Sequence, residues 1–186
     1  VQAAEAGENI VALIDDAYFG LVYEDGIMTE SIFGLLADAH PGILAVKIDG
    51  ATKEDFAWGY RVGFLTYGYG GATAEGLQAL EDKTAGIVRG SISNAAHISQ
   101  SMLLSAYQSP VYDQWKADAF AVLEARYRTV RDVLAEHPEY GERFEVLPFN
   151  SGYFLCVRPT SPGVAPEAVR TRLLEQYSTG LIATGD

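Results

Sequence analysis

Two short, unbroken aliphatic runs constrain this chain more than any other feature. Residues 10–14 read Ile-Val-Ala-Leu-Ile and close on Asp15-Asp16; residues 43–48 read Ile-Leu-Ala-Val-Lys-Ile, interrupted only by Lys47. Runs of this length without polar alternation suit strands covered on both faces, as in a parallel sheet layered with helices. A helical stretch over 30–39, stopped by His40-Pro41-Gly42, separates them. Strand, helix, strand at this spacing predicts a right-handed crossover. Residues 62–67 form a third expected strand, and the connection before it is short and holds no obvious helix. Antiparallel pairing is therefore expected there.

The pattern then changes. Residues 73–88 and 94–107 read as helices, with Thr73 and Asn94 as N-caps. Ser109-Pro110 opens a longer helix that Pro138 ends, with Trp115, Ala119, Val122, Tyr127, Val130 and Leu134 near one face. Residues 144–147 and 153–157 are expected strands. A helix follows from Pro166 to about residue 177, then a last short strand over 181–183. The fold class is α/β. Residues 1–72 read as part of a large domain built on a mainly parallel sheet, 73–109 as bridging helices, and 110–186 as a smaller α+β domain.

Composition excludes some classes of function. Of 186 residues 48% are hydrophobic, enough for a core, and the net charge of −12 argues against a nucleic-acid partner, which needs clustered Lys and Arg. Residues 90–112 lack charged side chains but carry six serines, too polar a stretch to span a bilayer. No basic segment followed by an apolar one marks a signal peptide. Cys156 is the lone cysteine, so no internal disulfide forms; it is expected as a small buried hydrophobe in a reducing, cytoplasmic setting. The chain opens without Met and reaches a buried-strand pattern by Ile10, so both ends are expected to be cuts through a larger protein.

Asp15, Tyr18, Lys53 and Arg61 fall at or just past the carboxyl ends of expected buried strands, where α/β sheets place functional groups. Their types suit pyridoxal phosphate. A lysine amine forms a Schiff base with the aldehyde. A carboxylate beside the pyridine nitrogen keeps it protonated. A tyrosine hydroxyl donates to the ring oxygen, and a guanidinium fork grips the phosphate. Taken singly, each residue has a plainer role: a turn cap for Asp15, a packing aromatic for Tyr18, a solvated charge for Lys53. Arg61 is less ordinary, lying between Gly59 and Gly63, where the backbone is expected to approach something closely. Asp16 competes with Asp15, but adjacent strand residues face opposite ways, so one of the two meets the cofactor.

Asp15-Asp16-Ala17-Tyr18 resembles the Asp-x-Ala-Tyr segment of the class I/II aminotransferases, enzymes of fold type I. Lys53 followed by Arg61-Val62-Gly63 resembles their Lys-x7-Arg-x-Gly segment, and Tyr18 and Lys53 lie 35 residues apart, as that layout requires. The resemblance implies the C-terminal portion of a pyridoxal-phosphate enzyme. Asp15 would pair with the pyridine nitrogen, Tyr18 with the ring hydroxyl, and Arg61 with the phosphate. Lys53 would carry the cofactor and shuttle the proton in amino-group transfer from an amino acid to a 2-oxo acid. It also implies a homodimer. The family often has serine three residues before the lysine, where this chain has Gly50; Thr52 is a serine-like match to another family position. The glycine-rich phosphate loop, the ring-stacking aromatic and an asparagine would fall before Val1, and the carboxylate-binding arginine after Asp186. A fragment so cut is expected to be inactive alone. Other fold-type-I chemistry (lyase, decarboxylase or synthase) and an aminotransferase-like effector domain of a transcriptional regulator are the alternatives.

Other features carry less. Gly68-Tyr69-Gly70-Gly71 lacks the Gly-Lys-Ser/Thr of a phosphate loop and is better read as a hinge. His40, His97 and His137 lack ligand spacing, and no metal site is expected. Asn150-Ser151-Gly152-Tyr153 resembles the family segment that brings small-domain backbone near substrate, or else makes a hairpin turn. Ser91, Ser93 and Asn94 are expected near a subunit boundary.

Overall fold

The computed structural model describes residues 1–184. Helix α1 (Gln2–Glu5) leads into strand β1 (Ile10–Asp15); α2 (Phe33–Leu36) precedes β2 (Ile43–Gly50). One helical turn, α3 (Ala51–Glu54), and a 3₁₀ turn (Trp58–Tyr60) lead to β3 (Gly63–Gly68). Helices α4 (Ala74–Ser91), α5 (His97–Tyr107) and α6 (Tyr112–Glu136) follow. A second 3₁₀ turn (Pro138–Glu142), strands β4 (Phe144–Val146) and β5 (Val157–Pro159), and α7 (Pro166–Tyr177) complete the chain. It forms two compact units, residues 1–125 and residues 126 onward, divided within α6.

In the first unit β2 is central. β1 runs parallel to it, with Ile10 opposite Ile43 and Asp15 opposite Ile48. β3 pairs antiparallel on the other side, with Ala45 opposite Gly68 and Gly50 opposite Gly63. Ile43, Ala45 and Val46 of β2 are buried with Ile14 of β1. Full burial of each large aliphatic side chain stabilises the sheet by about 1.5–3 kcal/mol. Glycine is required where elements touch. A Cβ on Gly68 would lie 2.7 Å from the Ala37 Cβ, and one on Gly70 would lie 2.9 Å from the His40 carbonyl carbon. β1 has no strand on its outer side among the described residues. Val11 and Leu13 there are 62% and 69% exposed.

Several elements differ from expectation. The helix over 30–39 shrinks to the single turn α2, because Ser31 accepts the Phe33 N–H and later bonds tighten to i→i+3, as from Ala39 to Leu36. His40 Nδ1 then accepts the Gly42 N–H at 2.9 Å and ends the segment. Thr73 caps α4 as expected, taking the Gly76 N–H at 3.1 Å. Asn94 does not cap α5: Ser93 takes a left-handed φ of 72°, and the helix starts at His97 with Ala96 as its N-cap. Two short helical turns occupy the connection expected to lack a helix. On the expected apolar face of α6, Tyr127 is buried but Trp115 and Val122 stay exposed.

The second unit is sparer. β4 and β5 pair antiparallel over three residues, Phe144 opposite Pro159 and Val146 opposite Val157, and the Leu147 N–H reaches the Cys156 carbonyl. Residues 153–156 therefore do not join the strand expected over 153–157. Residues 181–183 form no strand, having no partner strand to pair with among the described residues. Cys156, just before β5, is exposed rather than buried. Tyr127 meets Phe149 edge-on at 5.3 Å between ring centroids.

Candidate active site

The carboxyl ends of β1 and β2 place the expected residues. Asp15 is the last residue of β1, exposed, and its Oδ1 accepts the Ala17 N–H at 3.2 Å. That bond turns the chain toward Tyr18 as an Asx-type turn does. Asp16 faces the opposite way. Its Oδ2 accepts the Ser31 hydroxyl at 2.5 Å and lies 3.7 Å from Lys47 Nζ. Lys47 is 2.5 Å from Asp49 Oδ1 and sits over the Phe19 ring at 4.4 Å. Asp16 thus belongs to an ion-pair network, whereas Asp15 shares its face with exposed Val11 and Leu13.

Lys53 lies in α3, directly after β2, with its Nζ 4.7 Å from the centre of the Tyr18 ring. Beside it, Arg61 Nη1 is 3.4 Å from both Thr52 Oγ1 and the Trp58 carbonyl oxygen. The dipeptide Thr52-Lys53 therefore links two pairs, Lys53 with Tyr18 and Thr52 with Arg61. Arg61 adopts a left-handed backbone, φ 54° and ψ 43°, rare for a residue with a side chain. The backbone at this mouth is tight: Ala51 N–H donates to the Val62 carbonyl at 3.2 Å, and a Cβ on Gly50 would meet that oxygen at 3.2 Å. A cavity of about 360 Å³ opens against Arg61, bounded by Phe64, Gln100, Leu103 and Tyr107.

The remaining lysines have other settings. Lys47 is engaged by Asp16 and Asp49, and Lys116 by Glu54 and Asp55 at 3.3 Å each. Lys83 lies along α4 on an exposed position. Only Lys53 follows a strand end.

Sequence reasoning missed Asp55 and its partners. Tyr107 donates to Asp55 Oδ2 at 2.6 Å, Tyr112 donates to Oδ1, and Lys116 reaches Oδ1. Burial and the bond to Asp55 push the Tyr112 phenol up to about 12 and Tyr107 further up. Burial pulls the Lys116 ammonium down, but Glu54 and Asp55 outweigh it and hold it above its ordinary value. The spacing of Tyr112 and Lys116, four apart on one helix, was the available signal.

The weaker candidates have local explanations. Ser91 donates to the Ile87 carbonyl at 2.7 Å, and Ser93 accepts from Arg89 at 2.6 Å. The 150–153 segment lies in the second unit, in the connection between β4 and β5, with Gly152 at φ 71°. Among the described residues no His, Cys, Asp and Glu group has a metal-binding arrangement, and no helix is long and apolar enough to cross a membrane.

Comparison with known proteins identifies the family and the fold. The chain matches the family aminotransferase class I and II over residues 2–183. Solved structures share the fold. An aminotransferase from Anaerococcus prevotii superposes with a TM-score of 0.70 at 19% identity, covering 92% of this chain and 40% of its own. The α-aminoadipate aminotransferase of Thermus thermophilus, complexed with N-(5'-phosphopyridoxyl)-L-leucine, gives 0.69 at 22%, covering 94% and 40%. Aspartate aminotransferase from Thermotoga maritima gives 0.67 at 18%, covering 98% and 41%. The chain thus spans about 40% of the length of these relatives. No curated protein sequence matches it at comparable stringency. The family depends on pyridoxal phosphate, and the donor set fits that group: an amine beside a phenol, a guanidinium beside a hydroxyl, and an exposed carboxylate at the neighbouring strand end.

Proposed function

Because the chain belongs to the class I and II aminotransferases, we propose that it forms the lysine-bearing part of the cofactor site of an amino-acid aminotransferase. The observation that carries this reading is the Lys53 amine 4.7 Å over the Tyr18 ring, with Arg61 reaching the adjacent Thr52. Lys53 would hold pyridoxal phosphate, Asp15 its ring nitrogen, Tyr18 its ring hydroxyl, and Arg61 with Thr52 its phosphate. Bound there, the cofactor supplies an electron-accepting ring that makes the α-hydrogen of an amino acid acidic.

The chain's residues do the rest. The Asp15 carboxylate keeps a proton on the ring nitrogen through opposite charge. Tyr18 donates its hydroxyl hydrogen and orients the ring. Arg61 would hold the phosphate end as a planar, permanent cation and so orient the cofactor relative to Lys53. Lys53 Nζ, released when the substrate amine takes its place on the cofactor, would serve as the general base that moves the α-hydrogen. Amino acid and 2-oxo acid are the substrate pair of this reading, with a cytoplasmic homodimer as the working form. The complete protein would extend beyond these residues, as the relatives' length suggests.

The test is Lys53→Ala in the complete protein. Loss of the visible absorbance of bound cofactor and of any single-turnover amino transfer is expected. A variant that still attaches the cofactor covalently at one other lysine contradicts the assignment.

A further inference from the structure

The turn that carries Lys53 is held by side chains for which the cofactor reading has no use. α3 is four residues long, and a helix so short does not persist on its own hydrogen bonds. Immediately after Lys53 come Glu54 and Asp55, and Lys116 of α6 lies 3.3 Å from each carboxylate. Asp55 gathers more. It is 6% exposed at its side chain and takes hydroxyl hydrogens from Tyr107 at the end of α5 and Tyr112 at the start of α6. The two phenol rings meet edge-on, 5.2 Å between centroids at 84°. A carboxylate removed from water is stable only when its oxygens are satisfied, and here three donors converge on them. All of these groups lie in the first unit.

We propose that Asp55 is a positioning residue for Lys53. Held by Tyr107, Tyr112 and Lys116, its carboxylate pins the one-turn α3 to α5 and α6 and thereby presents the lysine beside Tyr18. The inference rests on Lys53 being the attachment point. It assigns to Asp55 the part of a fixed anchor outside the reacting atoms. Tyr112 and Lys116, four residues apart, form the matching face of α6.

The test uses the complete protein, first without cofactor and then loaded with pyridoxal phosphate. In the cofactor-free protein, Asp55→Ala should raise amide hydrogen exchange over residues 51–57 about tenfold while β2 and α4 exchange as before. In the loaded protein, the pH midpoint of the visible band, which senses the surroundings of Lys53 Nζ, should move by about half a unit or more. The double variant Tyr107→Phe, Tyr112→Phe removes two donors and almost no volume. It should give the same two changes at smaller amplitude, and it serves if Asp55→Ala does not fold. Unchanged exchange over 51–57, a rise spread evenly over the chain, or an unmoved midpoint overturns the proposal. Lys53→Ala separates the two readings: cofactor attachment elsewhere, with the local exchange effect of Asp55→Ala intact, sinks the lysine assignment and not the anchor.

Discussion

The two faces of the β1–β2–β3 sheet end very differently at Asp15 and Asp16. On one face Asp16, Ser31, Lys47, Asp49 and the Phe19 ring close on one another within 2.5–4.4 Å. On the other, Asp15 ends a row begun by exposed Val11 and Leu13. Two consecutive carboxylates thus receive different settings, one turned to each side. On the proposed reading the Asp16 side is scaffold, and the Asp15 side, exposed along β1 at Val11 and Leu13, is where the cofactor would lie.

That contrast is open to direct attack. The largest effect is expected from Asp15→Asn, which removes the charge proposed to face the ring nitrogen; turnover of the complete protein should fall by about 10²-fold or more. Asp16→Asn should lower turnover by less than about tenfold while costing about 1–3 kcal/mol of unfolding free energy in denaturant titration, since it weakens a hydrogen-bonded network. The reverse order of the two kinetic effects would show the strand facing the other way.

Lys47→Met sharpens the same point from the scaffold side. It leaves Asp16 and Asp49 without their shared cation, and a loss of about 2–4 kcal/mol in stability is expected, with KM little changed. A variant as stable as the parent would show that the network is incidental.

A smaller effect is expected at high pH. The Tyr112 phenol is held at about 12, against an ordinary 10.0, by burial and then by its bond to Asp55. A folded-state value above the unfolded one means that the stabilisation is complete below the ordinary value and disappears as pH rises through about 12. Tyr112→Phe should flatten the fall of melting temperature between these limits. An identical pH profile in the variant speaks against the Asp55 bond.

The smallest effect belongs to the open face. In the isolated 186-residue chain, Leu13→Lys should change stability by no more than about 0.5 kcal/mol, as exposed positions do. It should also reduce self-association, because the edge of β1, unpaired among the described residues, offers pairing groups to another copy. A large destabilisation would mean that the face is covered.

The sheet was legible because its signals are local: run length, the Asp15-Asp16 and His40-Pro41-Gly42 stops, and a connection too short for a parallel return. The pairing of Lys53 with Tyr18 was legible only through the family resemblance, and the structure supplies their proximity. What failed depends on distant partners. Asn94 is a good cap by type, but the left-handed Ser93 redirects the chain before it. Residues 181–183 have strand composition but no partner strand among the described residues, and Cys156 is exposed although it sits in an apolar run. Asp55 meets Tyr107 and Lys116 across 52 and 61 positions, a distance at which composition and periodicity carry no information.

The most direct test of the central claim is to load the complete protein with pyridoxal phosphate, reduce it with borohydride, digest it, and locate the label by mass spectrometry. One label per chain on the peptide containing Lys53, absent after Lys53→Ala, is the predicted result. Stoichiometric labelling of Lys47, Lys83 or Lys116 instead, with Lys53 unmodified, would contradict it.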